Sequence, residues 1–302
     1  MSFEPDRRSN AGKQVRKVAE KRLTKALTAL QSRSRTVRSR DESVHTARKR
    51  LKEVRALLRL VRDDLGEKAF DRENRALRDA ARPLSEVRDA GALVDAIRSL
   101  QKQYAGEVRT ATFRPARKAL RSRRSDIRRR ILGKDRALRK AASAVKKVQS
   151  RVSGWELEPG AWKAVQAGVR RAYKQAGQAM ALAFRESSDE NLHEWRKRTK
   201  DLRYQLELLR PLWPDMMDTA AGQANKLTEL LGDDHDLAVL RGLLDGDFQK
   251  AVPREAAETL RVLIDRRRNG LQAEARSLGE KLFAESTEQF AGRIKTYWRA
   301  AA

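Results

Sequence analysis

Apolar residues recur at three- and four-residue spacing along almost the whole chain, and Val/Ile-rich alternating runs of strand type do not occur. That periodicity predicts an all-α fold. Helix-breaking signals fall at Ser32 to Asp41, Gly66, Pro83, Phe113 to Pro115, Ser153 to Gly160, Ser187 to Asp189, Pro211 to Pro214, Gly246 to Pro253 and Ser286. They divide the chain into roughly ten or more helices.

One helical pattern occurs twice. Residues 41–62 read DESVHTARKRLKEVRALLRLVR and residues 189–210 read DENLHEWRKRTKDLRYQLELLR, an offset of 148 (193 − 45). Asp41, Glu42, His45, Arg48, Lys49, Arg50, Lys52 and Arg55 align with Asp189, Glu190, His193, Arg196, Lys197, Arg198, Lys200 and Arg203. A second echo aligns LSEVRDAGAL at 84–93 with LGDDHDLAVL at 231–240, setting Asp89 over Asp236 and Arg88 over His235. The offset there is 147, one residue shorter. The stretch from Ser153 to Gly160 lies between the copies. This predicts one domain over residues 1–302, built from a first repeat at 11–153 and a second at 160–302. Such an internal duplication would pack as two helical bundles about a pseudo-twofold axis, with the repeated helices facing one central cavity or groove.

At 100° per residue, His45, Arg48, Lys52, Arg55, Arg59 and Arg62 fall within an arc of about 100°. Val44, Ala47, Leu51, Val54, Leu58 and Val61 fill the neighbouring arc, which makes that the core face. The second copy sets Leu192, Trp195, Leu202, Leu206 and Leu209 toward the core. His193, Arg196, Lys200, Arg203 and Arg210 form its stripe, with the Tyr204 hydroxyl added and Glu207 interrupting it. A solvated helix face normally alternates sign, and like charges at i, i+4 oppose folding by roughly 0.2–0.5 kcal/mol per pair. Keeping that repulsion in both copies makes sense if an anion with closely spaced charges relieves it through charge-assisted hydrogen bonds. Two of the three histidines, His45 and His193, hold equivalent places in the stripes. Neighbouring cations should disfavour their imidazolium forms and an arriving phosphate chain should favour them, so binding should tighten as pH falls.

Composition narrows the partner. The 302 residues are 40% hydrophobic, enough for a packed core, and carry 68 Lys and Arg against 41 Asp and Glu, a formal charge of +27. A balance that basic calls for an acidic partner. The absence of cysteine excludes disulfides, thiolate metal sites and thiol catalysis, and fits a reducing cytosol. The N-terminus has no apolar signal region and no window approaches the roughly 18 apolar residues of a membrane span, so a cytoplasmic protein is expected.

Two rivals are specific enough to weigh. Basic runs such as Arg121-Ser122-Arg123-Arg124 and Arg128-Arg129-Arg130 would attract any phosphate backbone, which makes non-specific nucleic-acid binding the alternative partner. Aromatic residues are only 5% and none clusters with those runs as a base-stacking platform would require. The second rival is a metal-dependent phosphohydrolase, suggested by Asp233-Asp234-His235-Asp236. It would need further His and Asp ligands, and the other two histidines lie in arginine-rich stripes that repel a dication. Asp89 and Asp236 read instead as partners that orient a stripe cation, with His235 as a contact. Gly133-Lys134 lacks the upstream glycines of a phosphate loop. Neither a metal nor a cofactor is expected.

A histidine with arginine three later, lysine seven later and arginine ten later, in each half of a duplicated helical chain, resembles the conserved histidine α-helical domain, CHAD. The residues are His45, Arg48, Lys52 and Arg55, then His193, Arg196, Lys200, Arg203 and Tyr204, with Leu231, Gly232 and Asp236 as the Leu-Gly-x-x-x-Asp element. The resemblance implies non-catalytic binding of inorganic polyphosphate in a basic cavity, with targeting to polyphosphate granules in some members. The resemblance covers His45, Arg48, Lys52, Arg55, His193, Arg196, Lys200, Arg203 and Tyr204; the neighbouring cations Lys49, Arg59 and Lys197 and the flanking contacts Arg88 and His235 complete the candidate site. Arg22, Arg121, Arg124, Arg128 and Arg266 are further cations that could reach the cavity. This sequence departs from the pattern at Glu53 and Asp201, where relatives often carry a second cation, and at Leu84-Ser85, where Leu-Gly would stand. The first forty residues are short and basic, so the triphosphate-processing CYTH domain of some relatives is expected to be absent.

Overall fold

The computed structural model of the chain describes residues 11–32, 36–133, 136–157 and 161–301. Among them are eleven α-helices and no strand: α1 (Ala11–Gln31), α2 (Val37–Leu60), a one-turn α3 (Arg62–Leu65), α4 (Glu67–Gln103), α5 (Thr110–Leu132), α6 (Arg136–Gln149), α7 (Ala161–Arg185), α8 (Asp189–Leu208), α9 (Pro214–Asp245), α10 (Arg254–Leu282) and α11 (Thr287–Ala301). The all-α reading holds. None of these helices is long and apolar enough to cross a membrane.

Local chemistry accounts for most of the boundaries. Thr36 caps α2, its Oγ1 accepting from the Ser39 amide at 3.2 Å, and Ser188 caps α8 through the Asn191 amide at 3.1 Å. Gly66, at φ 81°, ends α3 and opens α4 in a conformation that side chains with a Cβ rarely adopt. Ser286 and Gln289 exchange side-chain and backbone bonds in a reciprocal cap before α11. Pro214 is the first residue of α9, where its missing N–H removes no helical bond.

Two boundary expectations need correction, and one break was not foreseen. Pro83 does not break the chain: α4 runs through it, although an interior proline costs a helix about 3 kcal/mol. Burial of Ala80, Ala81 and Leu84 on either side offsets that cost. Pro115 likewise lies inside α5, and the break assigned to Phe113–Pro115 falls earlier, between Gln103 and Thr110. A break between α5 and α6 carried no expected signal; Lys134, Glu158, Pro159 and Gly160 lie outside the described residues.

The apolar faces read from periodicity are the buried ones. Val44, Ala47, Leu51, Val54, Leu58 and Val61 of the first copy are all buried, as are Leu192, Trp195, Leu202, Leu206 and Leu209 of the second. Each such aliphatic side chain contributes about 1.5–3 kcal/mol on burial. Helix order runs in parallel through the two stretches. α1 packs on α2, α2 on α4 and α4 on α5, as α7 packs on α8, α8 on α9 and α9 on α10. The cores do not divide at the midpoint, however. The largest cluster draws Leu51 and Leu77 together with Val169, Leu206 and Trp298, and a second joins Ile97 and Leu120 to Leu240 and Leu260. Direct packing of α2 on α8 and of α4 on α9 links the two stretches, and these four helices carry the site.

Candidate functional site

Because the apolar arcs of α2 and α8 are buried, their basic edges are held in place beside them. They face a single cavity of about 590 Å³ walled by α2, α4, α8 and α9. The fourteen residues of the candidate site line it: His45, Arg48, Lys49, Lys52, Arg55, Arg59 and Arg88 from the first stretch, and His193, Arg196, Lys197, Lys200, Arg203, Tyr204 and His235 from the second. Ten lysine or arginine side chains meet only three aspartates there, Asp89, Asp201 and Asp236. The stripes are shorter than their periodicity suggested. Arg62 lies beyond the end of α2 and pairs with Glu67 at 2.7 Å, and Arg210, beyond α8, pairs with Asp218 at 2.8 Å.

The arginines are oriented by neutral or acidic partners. Arg48 is buried, donates from Nε to the Ser85 hydroxyl at 3.3 Å and lies 3.8 Å from Asp89. Arg55 donates to Asn74 at 2.9 Å, Arg59 to Asp201 at 3.0 Å and Arg203 to Glu207 at 2.8 Å. Arg88 of α4 stands between Asp89 at 3.4 Å and Asp236 at 3.9 Å, so both aspartates address this flanking cation, and Asp89 addresses the stripe residue Arg48 as well. Arg196 donates to the Thr228 carbonyl at 3.4 Å and passes directly over Gly232. A Cβ at position 232 would come within 3.0 Å of Arg196 Nη2, so the glycine of the Leu-Gly element clears space for the guanidinium.

Lys52 and Lys200 differ from these arginines. Both are half-buried, and neither has an ion-pair or hydrogen-bond partner among the described residues. Burial, followed by repulsion from Lys200, lowers Lys52 to about 6; burial, followed by repulsion from Arg196, lowers Lys200 to about 8. The floor of the cavity therefore holds two amines whose charged forms lack a counterion.

The histidines are shifted downward too, with burial ahead of the neighbouring cations as the cause. His193 falls to about 4, and its ring lies 4.4 Å from that of His235. His45 is more open, at the rim with Lys49, so its lowering comes from a partial loss of water and then from Arg48 and Lys49. Tyr204 is buried, with the Arg203 guanidinium 5.2 Å from its ring centre.

The departures in sequence find partners. Glu53 is buried away from the cavity and takes Arg22 at 2.8 Å and Arg50 at 2.9 Å, while Asp201 takes Arg59. None of Arg22, Arg121, Arg124, Arg128 and Arg266 lines the cavity. Arg266 instead pairs with Glu107 at 2.8 Å. In the Asp-Asp-His-Asp segment, Asp234 turns from His235 and binds Arg268 at 2.9 Å and Gln272 at 2.8 Å. No group of three or more His, Cys, Asp or Glu side chains among the described residues is arranged to hold a metal ion.

The family model for the CHAD domain matches residues 14–245. The chain belongs to the CHAD family. The matched stretch runs from within α1 to the last residue of α9, so it includes all four walls of the cavity. No curated protein matches the chain. As a CHAD domain, it carries the histidine and cation spacing on two helices that share one cavity.

Proposed function

We propose that this protein binds inorganic polyphosphate, without chemical transformation, in the cavity between α2, α4, α8 and α9. Membership of the CHAD family is consistent with a polyphosphate-related role. The observation that carries the reading is the unpartnered pair Lys52 and Lys200 at the floor of a cavity with ten basic side chains. Burying two like charges without counterions is unfavourable, and an anionic chain supplies what the pair lacks. A polymer bearing a charge on every unit can meet several cations and release counterions at each contact, so affinity should rise with chain length and fall with salt. The two halves act as repeats that grip the chain from opposite sides. Recruitment to polyphosphate granules would follow from such binding. Non-specific binding of nucleic acid is the competing reading, and the cavity offers no exposed aromatic ring on which a base could stack.

The test is a competition titration at roughly physiological salt, where exposed charge is screened beyond about 8 Å. Labelled long-chain polyphosphate is held against excess DNA, for the native chain and for an Arg48→Ala, Lys52→Ala, Arg196→Ala, Lys200→Ala variant whose fold is checked by circular dichroism. Binding that survives DNA and is lost in the folded variant supports the reading. Ready displacement by DNA, with the variant unaffected, would overturn it.

A further inference from the structure

The arginine runs of α5 are left over once the cavity is described. They line a second groove, of about 530 Å³, between α4, α5 and the start of α2. Its walls are Arg40, Arg98, Arg121, Arg124, Arg128 and Arg129, and its floor includes Val94 and Leu132. No carboxylate among the described residues lines it. The acids nearby leave the charge incompletely met. Asp41 is divided between Arg124 at 2.9 Å and Arg128 at 3.5 Å; Asp95 and Asp126 reach only Arg98 and Arg129, at 3.4 and 3.6 Å; Arg121 pairs with no described residue.

This groove adjoins one end of the cavity. Asp41 lies one helical turn before His45 on α2. On α4, Arg88 lines the cavity, a Cβ at Gly91 would lie 3.9 Å from Arg124 Nε, and the adjacent residues Leu93 and Val94 line the cavity and the groove respectively. On α5, Arg121 and Arg128 share a face about 10 Å apart along the axis, with Arg124 between them. Six guanidinium forks suit phosphate oxygens bidentately. No aromatic ring lines the groove to stack a base, which favours a phosphate polymer over nucleic acid.

We propose that the α4–α5 groove is an extension subsite: a polyphosphate chain too long for the cavity leaves it past His45 and Arg88 and continues over Arg124 and Arg128, with Arg98, Arg121 and Arg129 as its outer contacts. The proposal rests on the polyphosphate reading of the cavity and adds the origin of its chain-length preference. Short chains occupy the cavity alone; long chains engage both.

The test compares tripolyphosphate with long-chain polyphosphate on the native chain and on an Arg98→Ala, Arg121→Ala, Arg129→Ala variant, all three being exposed positions. Titrations at several salt concentrations should give unchanged tripolyphosphate affinity in the variant. Long-chain affinity should fall about ten-fold, and the slope of log K against log salt should flatten by about 2, from roughly 0.7 per lost single-strand contact. An unchanged long-chain affinity and slope would overturn the subsite. So would a loss confined to single-stranded DNA or RNA, which would make the groove a nucleic-acid surface. A Lys52→Ala, Lys200→Ala variant separates the two levels. If it loses tripolyphosphate while the groove variant keeps long chains, the cavity reading stands and the extension subsite alone falls. If the native chain binds neither polymer, both fall.

Discussion

The α2–α4 and α8–α9 halves of the cavity hold the same guanidinium by different means. In the second half, Gly232 leaves room for Arg196 to lie against α9 and donate directly to the Thr228 carbonyl at 3.4 Å. In the first, the corresponding glycine is Ser85, and Arg48 donates to its hydroxyl at 3.3 Å, which in turn donates to the Ala81 carbonyl at 3.1 Å. At the 147-residue offset Ala81 is the counterpart of Thr228, so the two arginines address equivalent carbonyls, one through a relay. The Leu84-Ser85 departure is therefore a substitution of a hydrogen bond for clearance. The histidines differ in the same sense. His193 lies against His235 with the rings tilted by 38°, whereas the counterpart of His235 is the cationic Arg88, and His45 stays exposed at the rim.

The largest effect should come from removing what the halves share. Each charge-assisted contact is worth about 1.5–3 kcal/mol, so Lys52→Ala with Lys200→Ala should weaken long-chain binding by roughly 100-fold or more. The same variant should raise the unfolding midpoint of the empty protein by a few degrees, because two desolvated, mutually repelling amines are gone. Of the single variants, Lys52→Ala should stabilise more at pH 7, since Lys52 lies further below its ordinary value. Titration together with calorimetric melting checks both signs. A lower midpoint with intact affinity would show that the lysines pack rather than bind.

Next come substitutions that exchange the two solutions. Gly232→Ala sets a Cβ 3.0 Å from Arg196 Nη2, so the guanidinium must shift by a few tenths of an ångström. The gain of about 1 kcal/mol in helix propensity offsets the crowding in stability, and the loss appears as about ten-fold weaker binding. Ser85→Gly removes one relay and sets a glycine inside α4, together costing about 1–2 kcal/mol in stability, with only a few-fold loss of affinity. Equal losses at the two sites would mean that the relay and the clearance are not equivalent devices. Chemical denaturation and titration of both variants decide it.

A pH series sharpens the contrast between the empty and filled cavity. Lys52 and Lys200, at about 6 and about 8 when folded, return to about 10.4 when unfolded. The unfolded chain therefore binds more protons between these limits, and the stability of the empty protein rises with pH from about 6 to about 10. Saturating polyphosphate should restore both amines to their charged forms and flatten the profile, as should the double alanine variant. Thermal melts at pH 6, 7.5 and 9 measure this. A profile unchanged by the double substitution would remove the lysines as its source.

How far the sequence foretold this site depends on the range of the forces involved. Three- and four-residue spacing is a local signal, and it identified the buried faces of α2 and α8 residue by residue, with the basic edges beside them. The doubled pattern also named side chains that meet in one cavity despite a 148-residue separation. Local signals failed where packing decides. Pro83 and Pro115 are helix breakers by themselves and interior residues in α4 and α5 because neighbouring apolar side chains are buried. Helix termini cut the stripes short at Arg62 and Arg210. The relay through Ser85 joins residues 37 positions apart, and no spacing rule announces it. The α5 arginines were visible as charge, but only the contact of α4 with α5 sets them in a separate groove.

The smallest effects should separate the two family histidines. Both were expected to protonate on the anion, yet their surroundings differ. Burial and then His235 lower His193 to about 4, so at pH 7 it is a neutral ring whose N–H can donate without taking up a proton. His45, exposed at the rim, can meet an emerging chain in water, where an adjacent phosphate favours its imidazolium form. His45→Ala should therefore cost about two- to three-fold in affinity at pH 6 and less at pH 8, while His193→Ala should cost a similar factor that does not vary between them. Most of the pH dependence of binding should persist in the double variant, because it comes from Lys52. Calorimetric titrations in buffers of different ionisation enthalpy count the protons directly. Uptake that disappears with the histidines, rather than with Lys52, would move the pH response from the floor of the cavity to its rim.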